Sequence, residues 1–491
     1  MKDRLLEGLN SEQRRAVETT EGPLLIQAGA GSGKTKTLTH RIGYIIDNDQ
    51  AAPSQILAVT FTNKAAREMR ERLAKLLHHD PSDRSFVLFM GTFHSICVKL
   101  LRRDGSFVGV PQNFVIFDET DRLSAVKRVC KELSIDEKKY PPRQIANIIS
   151  SAKNELIDSA QYKSFASSPI QSTAADVFPK YEKVLKDAGA LDFDDLIGKT
   201  VELLEKHEVV RKKWQDHFKY ILIDEYQDTN SAQYKLIKLI VNKNNNIAVV
   251  GDDWQSIYSW RGADFRNILN FTRDYPSATV IKLEQNYRST KNILDAAHSV
   301  ISNNNDRSEK KLWTDEGEGS PVLVVPVANE RAEAEVIVRK IQESVDRNPA
   351  TYDDFAVLYR TNAQSRSIEE TFIRYGLPYK IIGGVRFYDR KEIKDIIAYI
   401  RLIYQPEDQI SFERIVNVPA RGVGAKSLIN FFSWQAKNSF PLSTALARVE
   451  ECDLLTPKAK NAIRELNNTL NDLREISEGS PPYALIDFKC C

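Results

Sequence analysis

The chain has 491 residues, and its 69 lysines and arginines nearly balance its 67 aspartates and glutamates, which leaves a formal net charge of +2. This length suggests about three domains, and the balanced charge means that any nucleic-acid surface must be local. No apolar run is long enough to cross a membrane, and the five cysteines show no metal-ligand spacing. We therefore expect a soluble, cytoplasmic protein with reduced thiols and no membrane partner.

The first predicted elements surround a glycine-rich segment. Residues 24–26 form an apolar run that predicts a strand, and residues 36–46 predict a helix. The segment between them is typical of a loop that cradles nucleotide phosphates, with Lys34 reaching the β and γ oxygens and Thr35 holding Mg²⁺. An ordinary glycine-rich turn is the alternative. The predicted phosphate loop consists of Ala28, Gly29, Ala30, Gly31, Ser32, Gly33, Lys34 and Thr35.

Strand-like runs then alternate with helical patterns, which is the order of a parallel α/β sheet. A helix-rich stretch at residues 112–187 interrupts this alternation. We therefore expect a nucleotide-binding domain in two segments, 1–111 and 188–280, with 112–187 as a helical insertion. The predicted strands lie at residues 56–60, 220–223, 247–250 and 279–283, and the clearest helices of the insertion at 119–133 and 178–188.

Two adjacent carboxylates follow the predicted strand at residues 220–223. Open α/β sheets place their ligands at the carboxyl ends of the strands. Asp224 can therefore hold Mg²⁺ while Glu225 polarises an attacking water as general base. An Asp-Glu pair is also common in solvated turns, but the preceding strand and the phosphate loop favour the catalytic interpretation.

An unusual aromatic cluster follows the strand at residues 247–250. Residues 254–261 contain three aromatic side chains, a glutamine and an arginine. Aromatic faces and a guanidinium are groups on which single-stranded bases stack. A buried aromatic cluster that seals a domain interface is the alternative. The residues concerned are Trp254, Gln255, Tyr258, Trp260 and Arg261.

A second alternating unit follows the first domain. Residues 321–327 and 355–360 predict strands, and residues 330–345 and 365–375 predict helices. From about residue 391 the pattern is helical. We therefore expect a second sheet domain over 281–388 and a partial helical domain over 389–491.

Collinear motifs along nearly the whole chain resemble those of the UvrD/PcrA/Rep type of superfamily 1 DNA helicases. The similar segments are Leu9-Asn10 with Gln13, 60–66 (TFTNKAA), 91–95 (GTFHS), 192–196 (DFDDL), 224–230 (DEYQDTN), 251–264, 283–290 (LEQNYRST), 359–366 (YRTNAQSR) and 383–388 (GGVRFY). The resemblance implies an α/β fold with two RecA-like P-loop parallel-sheet domains, the second incomplete, and helical insertions.

The resemblance also implies an ATP site with Mg²⁺ bound by Thr35 and Asp224. In such a site Gln13 reads the adenine edge and Tyr287 stacks on the base. Gln255 senses the γ-phosphate or the attacking water, and Arg288, from the second domain, acts on the γ-phosphate much as an arginine finger does. The implied catalytic set is Lys34, Asp224, Glu225, Gln255 and Arg288.

On the DNA side, the resemblance implies base contacts and a set of neighbouring polar residues. From the sequence alone, a satisfied core histidine is the favoured interpretation of His94, and the resemblance reverses that preference. The segment 419–424 resembles a duplex-contacting hairpin, with an ordinary interhelical turn as the alternative. The implied DNA-binding residues are Phe61, Thr92, His94, Tyr258, Trp260 and Arg261.

The function implied by the resemblance is ATP-dependent movement, 3′ to 5′, along single-stranded DNA. The movement would unwind duplexes at single-strand/double-strand junctions during DNA repair or replication, with repair or replication proteins as partners. The alternative is an ATP-regulated single-stranded DNA-binding protein that does not unwind. A P-loop kinase or GTPase is disfavoured, because no acceptor site or guanine-reading motif is evident.

The sequence departs from the family pattern in a few places. Ala28 replaces a glycine, Lys36 a frequent arginine, and Trp254 a usual acidic residue. We find neither a His-x-x-Lys-Gly-Leu-Glu-Phe motif nor the late Tyr-Val-Ala-x-Thr-Arg-Ala motif. We therefore expect truncation before the last two motifs, and a second sheet with an open edge and exposed apolar surface.

Overall fold

The computed structural model describes residues 2–79, 89–259, 262–304, 307–347, 350–382 and 391–477. These residues form two compact units, one drawn from Met1–Gly319 and Asp395–Cys491, the other from Ser320–Lys394. Within the described ranges, no helix combines the length and apolar character that a membrane crossing requires.

The described strands of the first unit are β1 (Leu24–Ala28), β2 (Ile56–Thr60), β3 (Phe89–Thr92), β4 (Val115–Ile116), β5 (Ala190–Leu191), β6 (Tyr220–Ile223), β7 (Ile247–Gly251) and β8 (Thr279–Leu283). Six of them form a parallel sheet in the order β3-β2-β6-β7-β1-β8. The two remaining strands, β4 and β5, pair with each other in parallel. The strands predicted at residues 24–26, 56–60, 220–223, 247–250 and 279–283 are confirmed, and β3, β4 and β5 were not predicted.

Apolar side chains on both faces explain why the sheet is parallel and buried. Leu24 and Ile26 of β1 join the core on one face, and Leu25 joins the core on the other. Helices cover both faces, as a parallel sheet requires. Because β6, β7 and β1 are neighbours, the segments that follow Ile223, Gly251 and Ala28 meet at one edge of the sheet.

Most of the described chain outside the sheets is helical. The helices are α1 (Lys2–Leu6), α2 (Ser11–Glu18), α3 (Lys34–Asp47), α4 (Asn63–Leu77), α5 (Phe93–Asp104), α6 (Glu119–Glu132), α7 (Pro142–Asn154), α8 (Ser159–Phe165), α9 (Pro169–Asp187), α10 (Phe193–Lys206), α11 (Glu208–His217), α12 (Ser231–Ile240), α13 (Arg266–Leu269), α14 (Phe271–Asp274), α15 (Lys291–Ile301), α16 (Glu330–Arg347), α17 (Ser365–Arg374), α18 (Lys391–Tyr404), α19 (Gln409–Ile415), α20 (Ala425–Lys437), α21 (Leu442–Ala447) and α22 (Pro457–Ser477). Short 3₁₀ turns connect several of them.

The helices α6 to α9 form the predicted helix-rich stretch between β4 and β5. They share a core that includes Val129, Ile149 and Phe178. Farther along the chain, Arg401 of α18 forms an ion pair with Asp121 of α6 and donates to the Ile116 carbonyl at 2.7 Å. Part of the late helical region therefore packs beside this stretch.

The second unit confirms the two predicted helices, because α16 and α17 pack through Val338 and Phe372. The predicted strands at 321–327 and 355–360 are wrong for the described residues, since neither segment pairs as a strand. Val324 is 91% exposed and Leu358 is 93% exposed. A β-branched run forms a strand only where a neighbouring strand supplies hydrogen bonds, and this unit offers none among its described residues.

A buried charge cluster joins α7 to the start of α10. The Lys153 ammonium lies 2.8 Å from carboxylate oxygens of both Asp192 and Asp195, and the Tyr181 hydroxyl donates to Asp192 at 2.7 Å. Burial and the neighbouring Asp192 raise the pKa of Asp195 to about 7. Asp192 is also buried, but Lys153 holds the pKa of Asp192 below its usual range.

We predict that Asp195→Asn reduces the fall in stability between pH 5 and pH 8. Asp195 binds its proton more tightly in the folded chain than in the unfolded chain. The stabilisation that this proton gives the folded chain is fully present below the pKa of Asp195 in the unfolded chain. It is lost as the pH rises through about 7. The loss is at most about 1.4 kcal/mol per pH unit for one proton. Thermal unfolding measured across this pH range tests the change in slope.

The matched control is Asp176→Asn on α9, because that carboxylate is exposed. This control should keep the wild-type slope. An unchanged slope in Asp195→Asn would show that Asp195 does not take up the proton.

Candidate functional site

The phosphate loop occupies the turn between β1 and α3. Gly31 and Gly33 adopt φ values of +69° and +84°, which side chains rarely tolerate. A Cβ atom at Gly31 would lie 2.6 Å from the Asn286 amide nitrogen, and one at Gly33 would lie 2.7 Å from the Gln13 amide nitrogen. The backbone is therefore shaped by glycine, and it leads into the amino end of α3, where anions bind favourably.

Gln13 lies directly against this loop. Its amide nitrogen donates to the Ser32 carbonyl at 2.9 Å, and the side chain is buried. Asn10, which caps α2, donates to the Tyr287 hydroxyl at 2.8 Å. Gln13, predicted to read the adenine edge, and Tyr287, predicted to stack on the base, therefore lie at one end of the loop. The Tyr287 side chain is half exposed.

The paired carboxylates lie at the end of β6. Lys34 at the start of α3 places its ammonium 3.7 Å from the Glu225 carboxylate. Asp224 is buried. Burial and the neighbouring Glu225 carboxylate raise the pKa of Asp224 to about 7, although the positive charge of Lys34 acts to lower it. A buried carboxylate beside a partly exposed one, with one nearby cation, is an arrangement that favours binding of a further cation.

The donor set for that cation is small. No group of three or more His, Cys, Asp or Glu side chains in the described ranges could hold a metal ion by itself. Asp224 and the Thr35 hydroxyl fit a hard cation that takes its other ligands from phosphate and water, which is how Mg²⁺ is usually bound.

Gln227 and Asp252 were not predicted as site residues, and both are buried at this edge. The Gln227 side-chain amide nitrogen donates to the Glu225 carboxylate at 3.0 Å, and the Asp252 backbone N–H donates to the Gln227 side-chain oxygen Oε1 at 2.9 Å. Asp252 in turn accepts a hydrogen bond from the Gln255 amide. This chain of contacts connects the ends of β6 and β7, and the only sequence signal was that both residues fall within quoted motifs.

The segment 286–288 also lies against the loop, since a Cβ added at Gly31 would lie 2.7 Å from the Arg288 Cβ. Asn286 donates to the Ala30 carbonyl at 2.6 Å, and the Tyr287 N–H donates to the Gly31 carbonyl at 3.0 Å. The structure groups Arg288 with the loop in the first unit. These hydrogen bonds, and the pairing of β8 with β1, hold the segment there.

Three of the predicted DNA-facing residues lie at or just after the carboxyl ends of β2 and β3. The Phe61 ring meets Phe93 edge to face at 5.8 Å. The Thr92 hydroxyl caps α5 by accepting from the Ser95 N–H at 3.3 Å. The His94 ring packs 5.5 Å from Phe193, and burial lowers the pKa of His94. All three side chains therefore make contacts within the protein.

The remaining DNA-facing predictions follow β7. Tyr258 is 38% exposed. Trp260 and Arg261 lie outside the described residues, as does the segment 383–388. The aromatic cluster is therefore described only in part.

The turn at 419–424 uses its polar groups internally. The N–H groups of Arg421 and Gly422 both donate to the Asn417 side chain, at 2.7 and 2.9 Å. The Arg421 guanidinium donates to the Val418 carbonyl at 2.8 Å. These groups are therefore not directed at a phosphate, and the contacts favour an interhelical turn.

A parallel sheet with a phosphate loop after β1 and paired carboxylates after β6 defines a P-loop nucleotide-binding protein. Comparison with family models specifies the class further. Residues 9–276 match the UvrD/REP helicase N-terminal domain, and residues 281–454 match the UvrD-like helicase C-terminal domain. The chain belongs to the UvrD/Rep helicase family.

Curated relatives agree with this assignment. The chain is 48% identical to the ATP-dependent DNA helicase PcrA of Bacillus subtilis (strain 168), with 97% of this chain and 64% of the relative aligned. It is 46% identical to the PcrA helicase of Leuconostoc citreum, over 96% and 63% of the two chains. It is 50% identical to that of Staphylococcus aureus (strain NCTC 8325 / PS 47), over 91% and 60%. The chain thus spans less than two thirds of the length of these relatives.

Proposed function

We propose that this chain is an ATP-hydrolysing DNA motor that moves 3′ to 5′ along single-stranded DNA and unwinds duplexes. The observation that carries the proposal is the meeting of Gln13, the phosphate loop, Glu225 and Arg288 at one edge of the sheet. The relatives are named ATP-dependent DNA helicases.

In the proposed ATP site, the phosphates lie on the loop N–H groups and contact Lys34. Gln13 selects adenine through hydrogen bonds, since its amide can both donate and accept. Tyr287 provides a half-exposed aromatic face for the base. These contacts would favour ATP over other triphosphates.

Thr35 and Asp224 are the residues that would hold Mg²⁺, which would neutralise charge on the phosphate oxygens. Lys34 faces the Glu225 carboxylate and is expected to exchange part of this contact for phosphate. Gln227 then orients Glu225 as the base that polarises water. Gln255 and Arg288 complete the set by contacting the γ-phosphate.

The DNA path is proposed to run past the carboxyl ends of β2, β3 and β7. Bases would stack on Phe61, Tyr258 and Trp260, with Thr92, His94 and Arg261 near the strand. Single-strand/double-strand junctions and repair or replication proteins are the proposed partners. A cytoplasmic location is supported by the free buried thiols of Cys97, Cys130 and Cys452, since reduced cysteines are typical of that compartment.

We predict that Lys34→Ala lowers DNA-stimulated ATP turnover by about 10²–10³-fold, because a preorganised cation at the developing charge is removed. Affinity for single-stranded DNA should change little, because Lys34 lies at the nucleotide loop. Phosphate release and fluorescence anisotropy measure the two quantities. The control is Lys219→Ala, an exposed lysine at the opposite edge of the sheet. Turnover that survives in Lys34→Ala would remove the loop from the mechanism.

A strand-displacement assay on the wild-type chain distinguishes the two functional hypotheses. ATP turnover with unwinding supports the motor. ATP-sensitive DNA binding without turnover would instead support a regulated single-strand-binding protein.

We predict that Tyr258→Ala weakens binding of single-stranded DNA by about 1–3 kcal/mol, the usual cost of losing one stacked base. The matched control is Phe165→Ala, because Phe165 is an exposed aromatic residue on the helical stretch, away from the sheet edge. Equal affinities of the two variants would return Tyr258 to a purely structural role.

A further inference from the structure

Lys310 is a buried lysine outside every motif that the sequence singled out. Its side chain is only 1% exposed, and it lies between the carboxylates of Asp252 and Asp253, which are 2% and 3% exposed. The ammonium is 2.9 Å from Asp253 and contacts Asp252 still more closely. Lysine is almost never fully buried unless its charge is paired, so a specific role is expected.

The surroundings hold Lys310 in one place. The Trp254 ring centroid lies 4.6 Å from the ammonium, and the indole N–H donates to the Ser308 carbonyl at 3.1 Å. Ser308 in turn donates to Asp253 from both its backbone N–H, at 2.7 Å, and its hydroxyl, at 2.6 Å. The segment 307–310 is thereby fastened to the turn that follows β7.

The contacts lead from Lys310 to the nucleotide site. One carboxylate oxygen of Asp252 accepts from Lys310, and the other accepts from the Gln255 amide. The Asp252 N–H also donates to Gln227, which holds Glu225. A carboxylate fixed by a buried cation on one side presents its other oxygen in a defined direction, so the Gln255 amide is oriented.

The same segment also touches the phosphate loop. Two residues after Lys310, the side chain of Leu312 packs against Gly29, where an added Cβ would lie 2.2 Å from a Leu312 methyl group. Residues 308–312 therefore contact both the loop after β1 and the turn after β7. Movement of this segment would disturb Gln255 and the loop together.

We infer that Lys310 is a positioning residue for the γ-phosphate contact, acting on Gln255 through Asp252. The inference rests on the proposed ATP hydrolysis and adds a residue to it. Lys310 does not touch the nucleotide in this arrangement. Its effect is to hold the Gln255 amide in the geometry that the transition state requires, and small misplacements of this kind are costly in rate.

The test is Lys310→Met, with Lys311→Met as the matched control, because Lys311 is adjacent and exposed. We expect kcat for ATP to fall by about 10- to 100-fold in Lys310→Met, with a smaller change in KM, and to stay near wild type in Lys311→Met. A double-mutant cycle with Gln255→Ala supplies the decisive readout. If Lys310 acts through Gln255, Lys310→Met/Gln255→Ala is no slower than Gln255→Ala alone.

The variant Lys310→Met/Asp253→Asn distinguishes a folding defect from a loss of positioning. It removes one buried charge of each sign. This variant should regain thermal stability but keep a low kcat, because Asp252 still lacks its cation. Recovery of kcat together with stability, or additive losses in the cycle, would overturn the inference. Absence of ATP turnover in the wild-type chain would instead contradict the proposed function. If the wild-type chain is active and Lys310→Met and Lys311→Met have equal kcat, only the role of Lys310 is contradicted.

Discussion

The parallel pairing of β6, β7 and β1 is the constraint on which the site depends. Ile26 of β1 is level with Val250 of β7, and Val249 is level with Ile223 of β6. This register ends the three strands at nearly the same height. The phosphate loop, the paired carboxylates and the Gln255 turn can therefore contact one another without any long side chain having to bridge the sheet.

Buried polar contacts then connect these three strand ends into one unit. Lys34 faces Glu225, and Gln227 connects Glu225 to Asp252. The Asp252 carboxylate also accepts hydrogen bonds from Gln255 and Lys310. In a poorly solvated environment each group depends on its partner, because an unpaired buried charge or amide is costly. Residues distant from the nucleotide can therefore influence its chemistry through a few well-oriented hydrogen bonds.

Local sequence signals predicted the elements whose formation needs little tertiary information. The apolar runs located β1, β2, β6, β7 and β8, and the glycine-rich segment located the phosphate loop. The runs at 321–327 and 355–360 carried the same signal, yet they lack paired neighbours among the described residues. Strand formation depends on a partner as well as on propensity. The sequence also could not predict that Lys310 is buried, since a lysine in a polar stretch usually lies on a solvated surface.

The proposed motor activity requires that the nucleotide site and the single-stranded DNA site of this chain are coupled. The most direct measurement is a binding cycle with a non-hydrolysable ATP analogue and an oligonucleotide. It determines the affinity for DNA with and without the analogue, and for the analogue with and without DNA. We predict that both affinities change by the same factor, as thermodynamic linkage between coupled sites requires. Affinities that are independent of the other ligand would contradict it.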